Sequence, residues 1–197
     1  MKKDLVVALR MTVATLLLTG LAYPLLVTAV AQAAFPWRAN GSVVSDGGRV
    51  VGSELIGQGF KSPAYFQSRP SAAGADGYDA ASSGGSNLGP TSRKLRDRVA
   101  ADVARLRAEN PQASPEVPAD LVTTSASGLD PHLSPAAARW QVARVAQARG
   151  VPAGDVQALV DARIEGRTFG LLGEPRVNVL LLNLDLDRRL PRGARRE

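Results

Sequence analysis

The sequence predicts an α+β protein: one N-terminal transmembrane helix followed by a single extracytoplasmic α+β domain. Three observations carry this. Residues from Met11 to Trp37 include no charged side chain. Apolar residues recur at helical spacing in three segments of the middle of the chain. Short β-like patterns stand before and after those segments, and strands at both ends with helices between fit one α+β layer architecture.

The uncharged run is bounded by Arg10 and Arg38. It exceeds the roughly 20 helical residues that a bilayer core of about 30 Å requires. Pro24 is costly in a soluble helix but tolerated as a kink in a membrane helix. Phe35 and Trp37 close the run with aromatics suited to the interface. Lys2 and Lys3 with Ala31-Gln32-Ala33 also fit a cleaved signal peptide, although its apolar region usually spans only about 7–15 residues. Both readings keep Lys2, Lys3 and Arg10 in the cytoplasm. The expected organisation is therefore a cytoplasmic N-terminus at 1–10, a membrane helix at 11–36, an extracytoplasmic domain at 37–190 and a disordered basic tail at 191–197. Such a domain has no routine access to cytoplasmic nucleotides or DNA.

Composition narrows the chemistry. Of 197 residues, 45% are hydrophobic and 21% charged, a folding composition, while aromatics at 5% leave the core to Leu, Val, Ile and Ala. There is no Cys, which excludes disulfides, thiolate metal sites and Cys nucleophiles, and a single His, His132, excludes sites needing two. The net charge is +6. Lys2, Lys3 and Arg10 against Asp4 leave +2 at the start. Arg188, Arg189, Arg192, Arg195 and Arg196 against Glu197 leave +4 at the end. The body is neutral, so the basicity does not mark a nucleic-acid surface.

Within the exported part, Asn40-Gly41 and Asp46-Gly47-Gly48 frame a β-hairpin from Ser42 to Val51. Leu55-Ile56 and Tyr65-Phe66 are strand or loop anchors, and residues 68–92 form a long loop. Leu95, Val99, Val103 and Leu106 share one face of a helix over Thr91–Glu109, which Asn110-Pro111 stops. Leu121–Ser127 reads as a polar strand or extended segment and Gly128–Pro131 as a turn. Ser134-Pro135 caps and starts a helix that ends at Gly150. Another opens at Val151-Pro152 with Val156, Leu159, Val160 and Ile164 on its buried side. Arg176–Asp187 alternates, with Leu180, Leu182, Leu184 and Leu186 on one face, and is expected to be a strand.

Ser125, Ser127, Asp130 and His132 supply the ingredients of a hydrolytic triad, but proximity in sequence is not geometry and no Gly-x-Ser-x-Gly elbow exists. No phosphate-binding Gly-x-x-x-x-Gly-Lys loop exists either. Ser83-Gly84-Gly85-Ser86-Asn87 is open to two readings: a cradle of backbone N–H groups for an anion, or a turn that needs glycine. Asp185 and Asp187 beside Arg188 and Arg189 read as a strand end leaving the core. No metal site is expected.

Several long patterns occur in order: Gly52-Ser-Glu-Leu-Ile-Gly-Gln58, Tyr65-Phe-Gln-Ser-Arg-Pro-Ser-Ala72, Ser83-Gly-Gly-Ser-Asn-Leu-Gly-Pro90, the run from Pro118 to His132, and Gly173-Glu-Pro-Arg-Val-Asn-Val179. With them the chain resembles the C subunit of the bacterial Kdp potassium-transporting P-type ATPase. It departs at Ser92, where the family favours Asn, and in its Arg-rich tail. The resemblance implies a non-catalytic accessory subunit in the bacterial plasma membrane, needed for assembly and activity. Its implied partners are a channel-like potassium-binding subunit, the P-type ATPase subunit and a small single-span subunit. It implies no cofactor of its own: the complex uses ATP and transports potassium. The family ascribes a raised ATP affinity to this subunit, with nucleotide contact near Ser83, Gly84, Gly85, Ser86 and Asn87, which the topology above opposes. Candidate partner contacts are Thr19 and Gly20 in the membrane helix, and Tyr65, Phe66, Arg69 and His132 in the domain. The competing functions are an exported, membrane-anchored binding module without transport partners, and a secreted Ser/His/Asp hydrolase.

Overall fold

A computed structural model of the chain describes residues 1–191; all but Pro191 of the expected tail at 191–197 lies outside the described residues. The chain divides into two units, Met1–Ser53 and Glu54 onward.

The first unit is governed by its apolar helix. α1 (Lys2–Leu17) passes through a π-helical turn (Leu18–Ala22) into α2 (Tyr23–Ala34). Pro24 explains the widened turn: it lacks an N–H and its ring crowds the carbonyl four residues earlier, at Gly20, so the helix opens there. No residue of this helix is buried. Among the described residues, Lys2–Ala34 is the one helix long and apolar enough to cross a membrane. It is followed by α3 (Pro36–Ala39), then by the expected hairpin of β1 (Val43–Asp46) and β2 (Arg49–Ser53). Gly47 and Gly48 both take positive φ (55° and 79°), the primed turn that matches strand twist.

In the second unit, α4 (Arg93–Glu109) follows the long loop and is capped by Ser92, whose side chain accepts from Leu95 N. A 3-10 turn at Ala119–Leu121 leads to β3 (His132–Leu133). α5 (Pro135–Arg149) starts on its Ser134 cap and ends at Gly150, in the left-handed region at φ 70°. α6 (Ala153–Ala162), β4 (Ile164–Glu165), β5 (Arg176–Asn178) and α7 (Val179–Arg189) complete the unit. The strands form an antiparallel sheet in the order β3-β5-β4. Phe66, Leu133, Val145, Val156, Val160, Val177, Leu182 and Leu186 centre the core between this sheet and the helices.

The expected strand over Arg176–Asp187 is wrong beyond Asn178. The Asn178 side chain accepts from Leu181 N at 3.1 Å, an N-cap that turns the chain into α7. Burial then follows the helical period, taking in Val179, Leu182, Asn183 and Leu186, while Leu184 is only half-buried. The alternating leucines imitated a strand, but leucine is a stronger helix former than strand former. Leu121–Ser127 is likewise not a strand: after the 3-10 turn it runs irregularly. Ile164 leaves the face of α6 to pair with Val177.

The interior also holds a polar device. Residues 63–67 leave a turn, in which Tyr65 N donates to Ser62 O at 3.1 Å, and run irregularly past buried Ala64 and Phe66 with no strand pairing to them. Asn183 of α7 takes the place of a neighbour: its Oδ1 accepts from Phe66 N and its Nδ2 donates to Phe66 O, both at 2.9 Å. Gln141 of α5 does the same for Gln67, accepting from N at 2.8 Å and donating to O at 3.1 Å. Arg144 donates to Pro63 O, Tyr65 O and Gln141 Oε1. Arg149 donates to Ala64 O at 2.7 Å and, through Nη2, to Asp187 Oδ1 at 2.9 Å. Burial pushes the Arg144 guanidinium below its usual pKa against the opposing charge of Glu109, while its hydrogen bonds go to carbonyl oxygens. Buried amide groups left unpaired cost about 1–3 kcal/mol each. Asn183→Leu should therefore lower stability by about 2–5 kcal/mol, read from denaturant unfolding of the detergent-solubilised chain. Wild-type stability in that variant would show that the amide does not hold the segment.

Candidate functional site

The motif residues of the long loops converge on one face of the second unit. Arg69 is the hub. Its Nη1 donates to Asp130 Oδ2 at 3.0 Å, and its Nε and Nη2 reach the carbonyls of Thr123 and Thr124 at 3.4 and 3.5 Å. Asp130 also accepts from His132 N at 2.9 Å and lies 3.4 Å from His132 Nδ1. Burial pushes the Asp130 carboxyl up, but the hydrogen bonds from His132 and the Arg69 charge outweigh it and hold it below the ordinary aspartate range. These three side chains line a cleft of about 490 Å³ with Asp120, Ser134, Glu174 and Arg176.

The ingredients of the triad are near one another without forming it. Asp130 faces His132, but the Ser125 and Ser127 hydroxyls pair with each other at 3.3 Å, and Ser127 Oγ accepts from Leu129 N. Neither serine is hydrogen-bonded to His132. The arrangement is an Arg–Asp–His brace across two loops.

The Ser83–Asn87 loop lies along residues 124–128. Gly84 N donates to Ser127 O at 2.9 Å, Ser83 Oγ donates to the same carbonyl at 3.0 Å, and Thr124 Oγ1 donates to Ser86 Oγ at 3.3 Å. A Cβ on Gly128 would stand 2.5 Å from Gly84 O, and one on Gly85 would stand 3.0 Å from Ala126 O. Glycine at these positions lets two main chains approach closely, and the Gly84 N–H is already engaged. Asn87 takes a positive φ of 52°.

The expected partner contacts divide. Tyr65 OH donates to Asp187 Oδ2 at 2.7 Å, and the Arg149 guanidinium sits 5.0 Å over its ring. Phe66 is fully buried at 0% exposure, so its side chain fills the core and offers no contact surface, contrary to expectation. Arg69 and His132 remain partly open in the cleft. In the first unit Thr19 Oγ1 donates to Thr15 O at 2.8 Å, and only the Leu16 side chain stands near Gly20. Gln141, Arg144, Arg149 and Asn183 were missed by the sequence reading. Their signal was polar residues at helix positions where the apolar period required a buried side chain.

Two outcomes test this construction. Gly128→Ala places a side chain at φ +68° against Gly84 O and should cost about 2 kcal/mol or more. Gly89→Ala, with open space around it, should stay within about 0.5 kcal/mol. Melting temperatures of the two variants check this. Acid is the second test. Arg163 donates to Asp185 Oδ2 at 2.6 Å and holds that carboxyl low, as His132 and Arg69 do Asp130. A carboxyl depressed on folding gives stability that is present above its unfolded pKa of about 3.9 and is lost as pH falls through the folded value. Stability should therefore hold between about pH 7 and 5 and decline below about 4, with a shallower decline in Asp185→Asn.

Comparison with known proteins agrees with this architecture. The family described as KdpC, K+-transporting ATPase, c chain, matches residues 5–188. A potassium-transporting ATPase KdpC subunit from Myxococcus xanthus is 70% identical over 183 residues, covering 92% of this chain and 86% of the relative. One from Koribacter versatilis is 57% identical, covering 95% of each chain. One from Rhodopseudomonas palustris is 54% identical, covering 98% of this chain and 100% of the relative. With its long apolar N-terminal helix, its mixed helix-and-sheet unit and this match along nearly its whole length, the chain belongs to the KdpC family of potassium-transporting ATPase subunits.

Proposed function

We propose that the chain is a non-catalytic accessory subunit that anchors itself in the bacterial plasma membrane and braces the potassium-transporting complex from its outer side. The observation that carries this is the pairing of an apolar helix with no buried residue and a domain whose motif side chains bind one another. Lys2, Lys3 and Arg10 keep the N-terminus in the cytoplasm, which sends the domain outward. The helix contacts lipid and, through Thr19 and Gly20, a neighbouring span. Two attachments, one in the membrane and one outside it, raise the effective concentration of each at its site.

In this reading the subunit holds no cofactor. ATP is used by the P-type subunit and potassium passes through the channel-like subunit; the small single-span subunit completes the assembly. The family's effect on ATP affinity is then transmitted through subunit contacts, and Ser83–Asn87 serves as a close-packed loop rather than a nucleotide cradle. A reporter active only outside the cytoplasm, fused after Leu190, should be active. Activity of a cytoplasm-only reporter at that position would overturn the orientation and restore direct nucleotide contact. Under mild detergent the chain should co-purify with the other subunits when all are expressed together, and recovery of the chain alone would overturn the subunit reading.

A further inference from the structure

Between β4 and β5 the chain projects a tight apolar tip. Thr168 and Leu172 pair in both directions, each N–H donating to the other's carbonyl at 2.9 Å, and Gly170 N donates to Arg167 O at 3.0 Å. The tip is mounted on the register Ile164↔Val177 and Glu165↔Arg176, so it extends the central strand of the sheet. On it Phe169 is 89% exposed, Leu171 79% and Leu172 63%. Phe169 also holds a φ of 55°, a left-handed conformation unfavourable for a bulky side chain.

Nothing in the domain offsets either disadvantage. Packing usually justifies an aromatic residue held at positive φ, yet this ring packs on nothing. A loop serving only to connect two strands would carry Gly or Asn at position 169 and polar residues at 171 and 172. The backbone bonds fix the tip before any contact, which lowers the ordering cost of binding, and an exposed aromatic flanked by aliphatics is the make-up of an interface anchor.

We infer that Phe169, Leu171 and Leu172 form a preorganised plug that enters an apolar pocket on another subunit of the same transport complex; this rests on the accessory-subunit reading above. Two observations favour a protein pocket over lipid. The cations at the base of the tip are all paired: Arg167 with Glu174 at 2.7 Å, Arg176 with Glu165 at 3.0 Å and Arg163 with Asp185 at 2.6 Å. That collar has no net charge to draw it to an anionic headgroup layer. The chain also carries its own long apolar helix, beside which a three-residue lipid contact adds little to membrane attachment. A neutral, rigid tip suits a pocket with apolar walls and an uncharged rim.

The test uses the full chain expressed with its partner subunits. A photoreactive benzoylphenylalanine at position 169, irradiated in native membranes, should form an adduct with one subunit of the complex. The Phe169→Ser, Leu171→Ser double variant should leave the detergent-solubilised complex about tenfold faster or more than wild type, with the melting temperature of the chain unchanged because the tip is solvent-exposed. Adducts with lipid alone, or wild-type dissociation in the double variant, would overturn the plug while the subunit reading stands. Failure of the unmodified chain to co-purify would overturn both.

Discussion

An irregular segment that enters the core without a strand neighbour imposes the central constraint on this domain. Ala64 and Phe66 are buried, and buried peptide groups must find partners or destabilise the fold. Asn183, Gln141, Arg144 and Arg149 provide those partners from two helices. The two amides act as substitute peptide units, since each presents one donor and one acceptor at the spacing of a main-chain pair. The orientation of α5 relative to α7 is thereby tied to the position of a loop, and Phe66 is driven into the core as part of the same arrangement.

From that anchor the rest of the motif face follows. The chain leaving Gln67 delivers Ser68 to Gln58 O and Arg69 to Asp130. Ser71 donates to Gly128 O and accepts from Ala73 N and Tyr78 N. Tyr78 donates back to Arg69 O. The segments that identify the family are thus contact partners of one another, and their residue types answer to packing and hydrogen bonding among loops. A brace of this kind holds in fixed shape loops that have little regular structure of their own.

Much of this was legible in the sequence, and the failures have physical causes. The apolar helix, the hairpin at Gly47-Gly48, the Ser92 and Ser134 starts and the Gly150 stop depend on local chemistry, so local patterns find them. α7 was misread because Leu180, Leu182, Leu184 and Leu186 alternate by coincidence, while the decisive signal, Asn178 as a cap, looks the same in a strand. β3 and β4 are two residues each and exist only because β5 lies between them, a long-range fact that no local window contains. The clamp was hidden for the same reason. A Gln or Asn within a helix carries no mark of the loop it will hold, and Phe66 looked like a surface anchor because the core it joins is assembled from distant parts of the chain.

The clamp has a consequence for the order in which the domain can be made. Residues 63–67 leave the ribosome well before Gln141, Arg144 and Arg149, and Asn183 comes in nearly the last element of all. Until that element arrives, Phe66 has neither its hydrogen-bonding partner nor much of its apolar cover. The early loops therefore lack these native partners until α5 and α7 are available. Under the outward orientation proposed above, a chain that closes late remains threadable through a narrow channel. It also makes the last helix a checkpoint: a product broken off before Asn183 would lack the closing clasp and be exposed to proteolysis instead of assembling.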